Sequence, residues 1–281
     1  MTVVFQPREC HRPALAMALA VSIIIVGHDS ASAQSPSRSW VDEHRAAGFV
    51  CRAAFSLDAY QGLFGELGEL QDSVTRLLHL APSGQPIELY LFADKPSYDQ
   101  FLRARMPQVS HRRALFVKGA GPGRVFVYRS NQLDIDVRHE STHALLHASL
   151  PMVPLWLDEG LAEYFELPGK ERPFRQDYLA KLKSSIRRGT FPRLDRLEAK
   201  RELAELTEVD YRDAWAWVHF MLHGPERASE ELVAFLADIR AHTPPGRLSA
   251  RLEARLPGVE QRLIEHLKSW SIPGIQTPRR R

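Results

Sequence analysis

Apolar residues recur with two periods along this chain, and the period changes near residue 131. Before it, runs of alternating character stand between helical ones. Residues 49–56 (FVCRAAFS) and 87–92 (IELYLF) read as strands. Between them Leu63, Phe64, Leu67, Leu70, Val74, Leu77 and Leu78 recur at three- and four-residue steps, which predicts an amphipathic helix over 57–80. Pro82-Ser83-Gly84 ends it. A short helix is expected over 95–105. Two β-rich runs follow, 114–118 and 124–128, joined by the glycine-rich Gly119–Gly123 as a hairpin. After Asn131 only helical spacing remains, with candidates at 132–149, 155–167, 174–188, 209–223, 226–241, 246–255 and 258–269. A mixed α/β half followed by an all-α half predicts an α+β fold with a crevice between the halves. The expected domain covers 49–270, with 49–150 as the α/β half and 151–270 as the helical half. Residues 34–48 are expected to be a linker and 271–281 a basic tail.

The first 33 residues have a different pattern. Arg8 and Arg12 precede an uncharged run over 13–26, and Ala31-Ser32-Ala33 follows. The run is shorter than the ~20 residues of a membrane-spanning helix, and it has the layout of a cleavable signal peptide. Cleavage is expected after Ala33, giving an exported protein, periplasmic or secreted, with no stable membrane insertion. Cys10 leaves with the leader, so Cys51 remains as the sole cysteine and no internal disulfide can form.

Composition narrows the chemistry. Of the 281 residues, 44% are hydrophobic and 25% charged, which excludes a disordered or multi-span chain. The net charge is only +3, and the basic pairs Arg112-Arg113 and Arg187-Arg188 are scattered, so nucleic acid is not an expected partner. Two cysteines exclude a four-Cys zinc site.

One constellation stands out. Residues 139–143 read His-Glu-Ser-Thr-His within the helix expected over 132–149. Four residues apart, His139 and His143 share a helix face, and two imidazoles there can reach one zinc at ~2.0–2.1 Å. Glu140 lies about 100° round the helix, where it can act on a water as general base. His147 continues the series but is ~12 Å from His139 along the helix, too far to share the ion. A catalytic zinc takes three protein ligands and leaves a position open. The third can come from the next helix, where Glu159 follows His143 by sixteen residues after a break at 150–153. Gly160 removes a side chain where two helices and an ion crowd together.

His139-Glu140-x-x-His143 followed by Trp156-Leu157-Asp158-Glu159-Gly160-Leu161-Ala162-Glu163-Tyr164 resembles the gluzincin metallopeptidases. The nearer resemblance is to the peptidase MA-like domains of exported bacterial proteins, the more distant to aminopeptidase N and thermolysin relatives. It covers about residues 137–167. It implies a zincin-like fold, Zn2+ held by His139, His143 and Glu159, Glu140 as catalytic base, and a peptide or protein substrate. It further implies that Asp158 and Glu163 support the ligands, Glu163 by orienting a ligand histidine. The Gly-x-Met-Glu-Asn motif that captures a free amino terminus is absent, which argues against aminopeptidase activity. Gluzincins also supply a Tyr or His to the developing oxyanion. Here Tyr211 is the candidate and His219 the alternative, both on the helix over 209–223. The strand over 124–128, the last before the metal helix, is the candidate edge for pairing with extended substrate. The rival expectation is a non-catalytic binding or maturation protein that keeps the fold.

Overall fold

The period-two runs become a sheet whose two faces carry separate cores. The computed structural model describes residues 22–24, 40–82, 84–109, 112–119 and 121–271. Its strands are β1 (Ser22–Ile24), β2 (Asp42–Ala46), β3 (Phe49–Ala53), β4 (Ile87–Phe92), β5 (Ala114–Lys118) and β6 (Arg124–Tyr128), in spatial order β1-β5-β6-β4-β3-β2. Helices α1 (Gln61–Leu78) and α2 (Lys95–Arg105) lie among them in sequence. Alternate residues of the central strands separate cleanly. Ile87, Leu89 and Leu91 of β4, Val125 and Val127 of β6, and Ala114 and Phe116 of β5 join the main core. Tyr90, Phe92, Phe126 and Leu115 face the other way and pack with Tyr98 and Leu102 of α2. A one-residue slip would exchange the two faces, so burial on both sides fixes the register.

The main-core face is covered by α1 and by α3 (Leu133–Ser149). Leu63, Phe64, Leu67, Leu70, Val74 and Leu78 of α1 are buried in one stripe, each worth roughly 1.5–3 kcal/mol of burial before entropy is counted. Then come α4 (Leu155–Phe165), α5 (Gln176–Arg187), α6 (Leu194–Ala199), α7 (Glu208–His223), α8 (Glu226–Arg240), α9 (Leu248–Arg255) and α10 (Val259–Ser269). The expected α+β order is therefore the observed one, and the hairpin of β5 and β6 pairs antiparallel, with Phe116 opposite Val125. No helix among the described residues is long and apolar enough to cross a membrane.

Three sequence expectations need correction or restriction. First, β2 lies inside the expected linker. It pairs antiparallel with β3 through a tight turn in which Ala47 and Gly48 both have positive φ, 48° and 80°. The strand reads Asp-Glu-His-Arg-Ala, half-buried and without apolar alternation, so its pairing is invisible to periodicity. Second, β6 is no edge: β5 pairs along one side of it and β4 along the other. Third, of the apolar leader run only Ser22–Ile24 is described, as a short strand parallel to β5. The cut after Ala33 and the tail from residue 272 lie outside the described residues.

Candidate metal centre

A buried helix is ordinarily apolar on all sides, and α3 departs from this. Every residue from Asp136 to His147 is buried, including Asp136, Arg138, His139, Glu140, Ser141, Thr142, His143 and His147. Burying so many polar groups is costly unless each finds a partner or serves a ligand. α4 is the same: Trp156 to Phe165 are all buried, with Asp158, Glu159 and Glu163 among them. The chain turns at Leu150, in extended conformation, and Pro154 precedes the first residue of α4.

That turn brings three of the sequence-identified residues together. Glu159 Oε2 lies 3.6 Å from His139 Nε2 and 3.9 Å from His143 Nε2. Ligands at ~2.0–2.2 Å from one ion in tetrahedral array stand ~3.3–3.6 Å from each other, close to these spacings. His139, His143 and Glu159 form a buried group that could hold a metal ion. The fit can be tested on unsatisfied atoms. His139 Nε2, His143 Nε2, both Glu159 oxygens, both Glu140 oxygens and the Tyr211 hydroxyl are all buried and make no hydrogen bond to any described residue. Orphaned buried polar atoms are rare. Those of His139, His143 and Glu159 lie within 4.8 Å of one another, and the Glu159 carboxylate acts electrostatically on Glu140 and Tyr211. A cation and water among them would satisfy the set.

The outward nitrogens are all engaged. His143 Nδ1 is 2.9 Å from Asp158 Oδ1, and Asp158 Oδ2 is 2.9 Å from His147 Nε2. Asp158 thus lies between two imidazoles. Burial pushes its carboxyl up, but His143 and His147 outweigh burial and hold it well below the usual carboxylate range. His147 stands outside the His139, His143 and Glu159 group and does more than fill the core: it stacks on Phe116 and holds the second oxygen of Asp158.

At His139 the expected partner is replaced. Its Nδ1 is 2.8 Å from Glu166 Oε2, at the C-terminal end of α4, and Glu163 does not contact it through a hydrogen bond. Glu163 instead accepts hydrogen bonds from Arg175 (2.6 Å) and from the Tyr178 hydroxyl (2.9 Å). Arg175 also donates to Glu166 Oε1 at 2.7 Å. The assignment of Glu163 as the group orienting a ligand histidine is therefore corrected to Glu166, with Glu163 one step further out. The 3.6-residue period explains the change. Seven residues after Glu159, Glu166 returns to nearly the same helix face, two turns along, beside the earlier end of α3. Burial pushes His139 down, but the Glu159 and Glu166 carboxylates overcome it and hold the imidazole well above its ordinary range. Protonation and metal ligation then compete for the same lone pair.

Glu140 is fully buried, and burial is the largest cause of its pKa, raised to about 7. Tyr211 comes to the centre because α4 and α7 cross at their smallest residues. A Cβ on Gly160 would stand 2.9 Å from the Ala214 carbonyl oxygen. Tyr211 lies one turn before Ala214 and Glu159 one residue before Gly160, so the crossing brings the phenol within electrostatic reach of the carboxylate. Burial, then the Glu159 and Glu163 carboxylates, keep the phenol protonated well above its usual range. His219 is turned elsewhere: its Nε2 donates to the Pro173 carbonyl at 3.0 Å and its Nδ1 faces His266 Nε2 at 2.9 Å. Of the two residues proposed from sequence, Tyr211 is the one that Glu159 and Glu140 act on electrostatically.

Sequence reasoning missed Glu166, Arg175 and Arg112. Arg112 acts electrostatically on Glu159, Glu140 and Tyr211 from the segment before β5. In the sequence it is only one of a scattered basic pair, and no motif marks it. Neither models of known protein families nor curated proteins, compared with this chain, gave a match.

Proposed function

We propose that the protein is a zinc metallopeptidase of gluzincin type, hydrolysing peptide bonds in an exported setting. The observation that carries this reading is the convergence of orphaned buried atoms: two imidazole nitrogens and a carboxylate for the ion, a second carboxylate for a proton, and a phenol to donate. Three protein ligands suit a catalytic zinc, where a structural site would be closed by four. Zinc bound by His139, His143 and Glu159 supplies a Lewis acid that polarises a carbonyl and lowers the pKa of water toward ~7.

The chain's own residues do the rest. Glu140, with a pKa near neutrality, accepts a proton from the attacking water and returns it to the leaving amine. Tyr211 keeps its proton and donates a hydrogen bond to the oxyanion as it forms. Asp158 and Glu166 accept from the Nδ1 atoms of His143 and His139, directing both Nε2 lone pairs to the ion. The leader over residues 1–33 directs export.

Glu140→Gln is the decisive substitution. Glutamine keeps the shape and still hydrogen-bonds, but it cannot take a proton at neutral pH. We expect it to bind zinc normally and to lose about 10²–10⁴-fold or more of activity on a peptide-library digest. Cleavage by the variant at the wild-type rate would overturn the mechanism.

A second reading, a non-catalytic binding or maturation protein that keeps the metal, draws on the complete burial of Glu140 and the 1% exposure of Glu159. Substrate reaches them only when covering side chains part. Stoichiometric zinc with no cleavage by either the wild type or Glu140→Gln would favour this reading.

A further inference from the structure

The His139–Glu166 hydrogen bond does not end the network, and what lies behind it is a cation. His139, Glu163 and Glu166 form a second buried group whose ligand atoms are close enough to hold a metal ion. That group already has a positive charge seated on it. Arg175 Nη1 lies 2.6 Å from Glu163 Oε2, 2.7 Å from Glu166 Oε1 and 3.1 Å from the Glu163 carbonyl oxygen. The guanidinium is packed over the Tyr178 ring at 3.8 Å, and the Tyr178 hydroxyl donates to Glu163 at 2.9 Å.

We infer that Arg175 is a positioning residue for the metal centre: it takes the place of a second cation between Glu163 and Glu166, and through Glu166 it fixes His139 with Nε2 toward the ion. The inference rests on the metal reading of the centre given above.

The physical argument has three parts. Two buried carboxylates on successive turns of one helix repel each other, and without a cation between them one must protonate or move. If Glu166 moves, His139 loses its only side-chain acceptor at Nδ1 among the described residues, and its ring is free to turn. One nitrogen, Nη1, meets all three acceptors, and a guanidinium suits this place better than an ammonium because its plane packs over the Tyr178 ring and fixes where that nitrogen lies. The local fold supplies it economically. Arg175 immediately precedes α5, in extended conformation, and the first turn of that helix puts Tyr178 beneath the guanidinium. The Arg138 Nε atom donates to the Glu166 carbonyl at 2.5 Å, tying the end of α4 to α3 from the other side. The carboxylate of Glu166 is then held at both oxygens, one by the cation and one by the imidazole.

The test compares Arg175→Met, Arg175→Lys and the double variant Arg175→Met/Glu163→Gln with the full-length wild type. Zinc affinity is read by chelator competition, ligand geometry by the visible spectrum of the Co2+-loaded protein, and stability by thermal unfolding of the metal-free chains. Arg175→Met is expected to weaken zinc by about 10–100-fold and to alter the Co2+ spectrum. Arg175→Lys should recover part of the affinity, because it restores charge without the planar group packed over Tyr178. In the double variant the carboxylate left without its cation is neutralised, so stability should return while affinity and spectrum do not. Return of all three together would overturn the inference, since Arg175 would then only neutralise buried charge. Wild-type affinity and spectrum in Arg175→Met would overturn it as well, with the metal reading intact. A wild-type chain that took up neither Zn2+ nor Co2+ would overturn the metal reading itself, and this inference with it.

Discussion

His143 and His139 stand four residues apart on one helix, and the fold orients them by different means. His143 leans on Asp158, the residue next to the candidate ligand Glu159, and Asp158 is held in turn by a second imidazole. His139 leans on Glu166, two helical turns away, and Glu166 is held by a guanidinium from beyond α4. One arm is a carboxylate between two imidazoles. The other is a carboxylate between a ring and a cation. The difference teaches that equivalent ligands need not have equivalent tolerance, because tolerance is set by what stands behind the carboxylate.

An amide in place of each carboxylate should expose this. In Glu166→Gln the oxygen can still accept from His139, but the amide N–H groups then face the Arg175 donors. Donor against donor has no good arrangement, so zinc affinity should fall by about 100-fold, the upper end of what such partners contribute. In Asp158→Asn the oxygen keeps His143 and the N–H groups turn to His147. His147 can adapt, because its Nδ1 has no hydrogen bond to a described residue and can carry the ring proton while Nε2 accepts. Its loss should be nearer 10-fold. Chelator competition on the two variants side by side would reverse the comparison if Asp158→Asn proved the weaker binder.

Gly160→Ala probes what both arms share. The added Cβ would meet the Ala214 carbonyl oxygen at 2.9 Å and its backbone carbon at 3.0 Å, atoms that cannot swing aside. Overpacking of this kind costs about 1–3 kcal/mol, and it should move Tyr211 away from Glu159. Urea unfolding should register the first effect and the peptide-cleavage rate the second. A variant as stable as wild type would mean that α4 and α7 can slide.

The smallest effect lies outside both arms and isolates the scaffold. Burial, then neighbouring histidines, hold His219 down to about 3, and burial with His223 holds His266 down to about 4. Both are neutral in the fold, while the unfolded chain takes up protons below its ordinary value of ~6.5. Stability is therefore complete above that pH and falls as the solution is acidified toward the folded values. The urea midpoint should drop between pH 7 and pH 5, and His266→Gln should flatten the drop. A midpoint independent of pH in the wild type would refute the assignment.

How much of this was legible follows from where each signal is stored. The ligand set and Asp158 lie in two short stretches with helical spacing, so local rules find them. The α+β order was legible because the strands alternate and the helices do not. β2 was missed because it pairs through its backbone while its side chains are polar on both faces. The placing of β6 needed the sheet order, which strand pattern alone does not carry. Glu166 needed the relative placement of α3 and α4, and Arg175 needed the approach of α5. Neither is encoded in the spacing of a motif. The placing of His219 against Pro173 and His266 needed the packing around α7, which the spacing of that helix does not carry.

The turn between α3 and α4 also bears on the order of assembly. Both candidate imidazole ligands, the carboxylate ligand and the two acceptors behind the rings lie within residues 139–166, on one helical hairpin. The sheet, by contrast, must bring Phe49 beside Ile87 and Glu88 beside Arg124 across long intervening chain. Local contacts close faster than distant ones, so a divalent ion can meet its ligands while the strands are still unpaired. If the group holds a divalent cation, that cation should accordingly speed refolding from urea, which would make the centre a kinetic organiser of the chain.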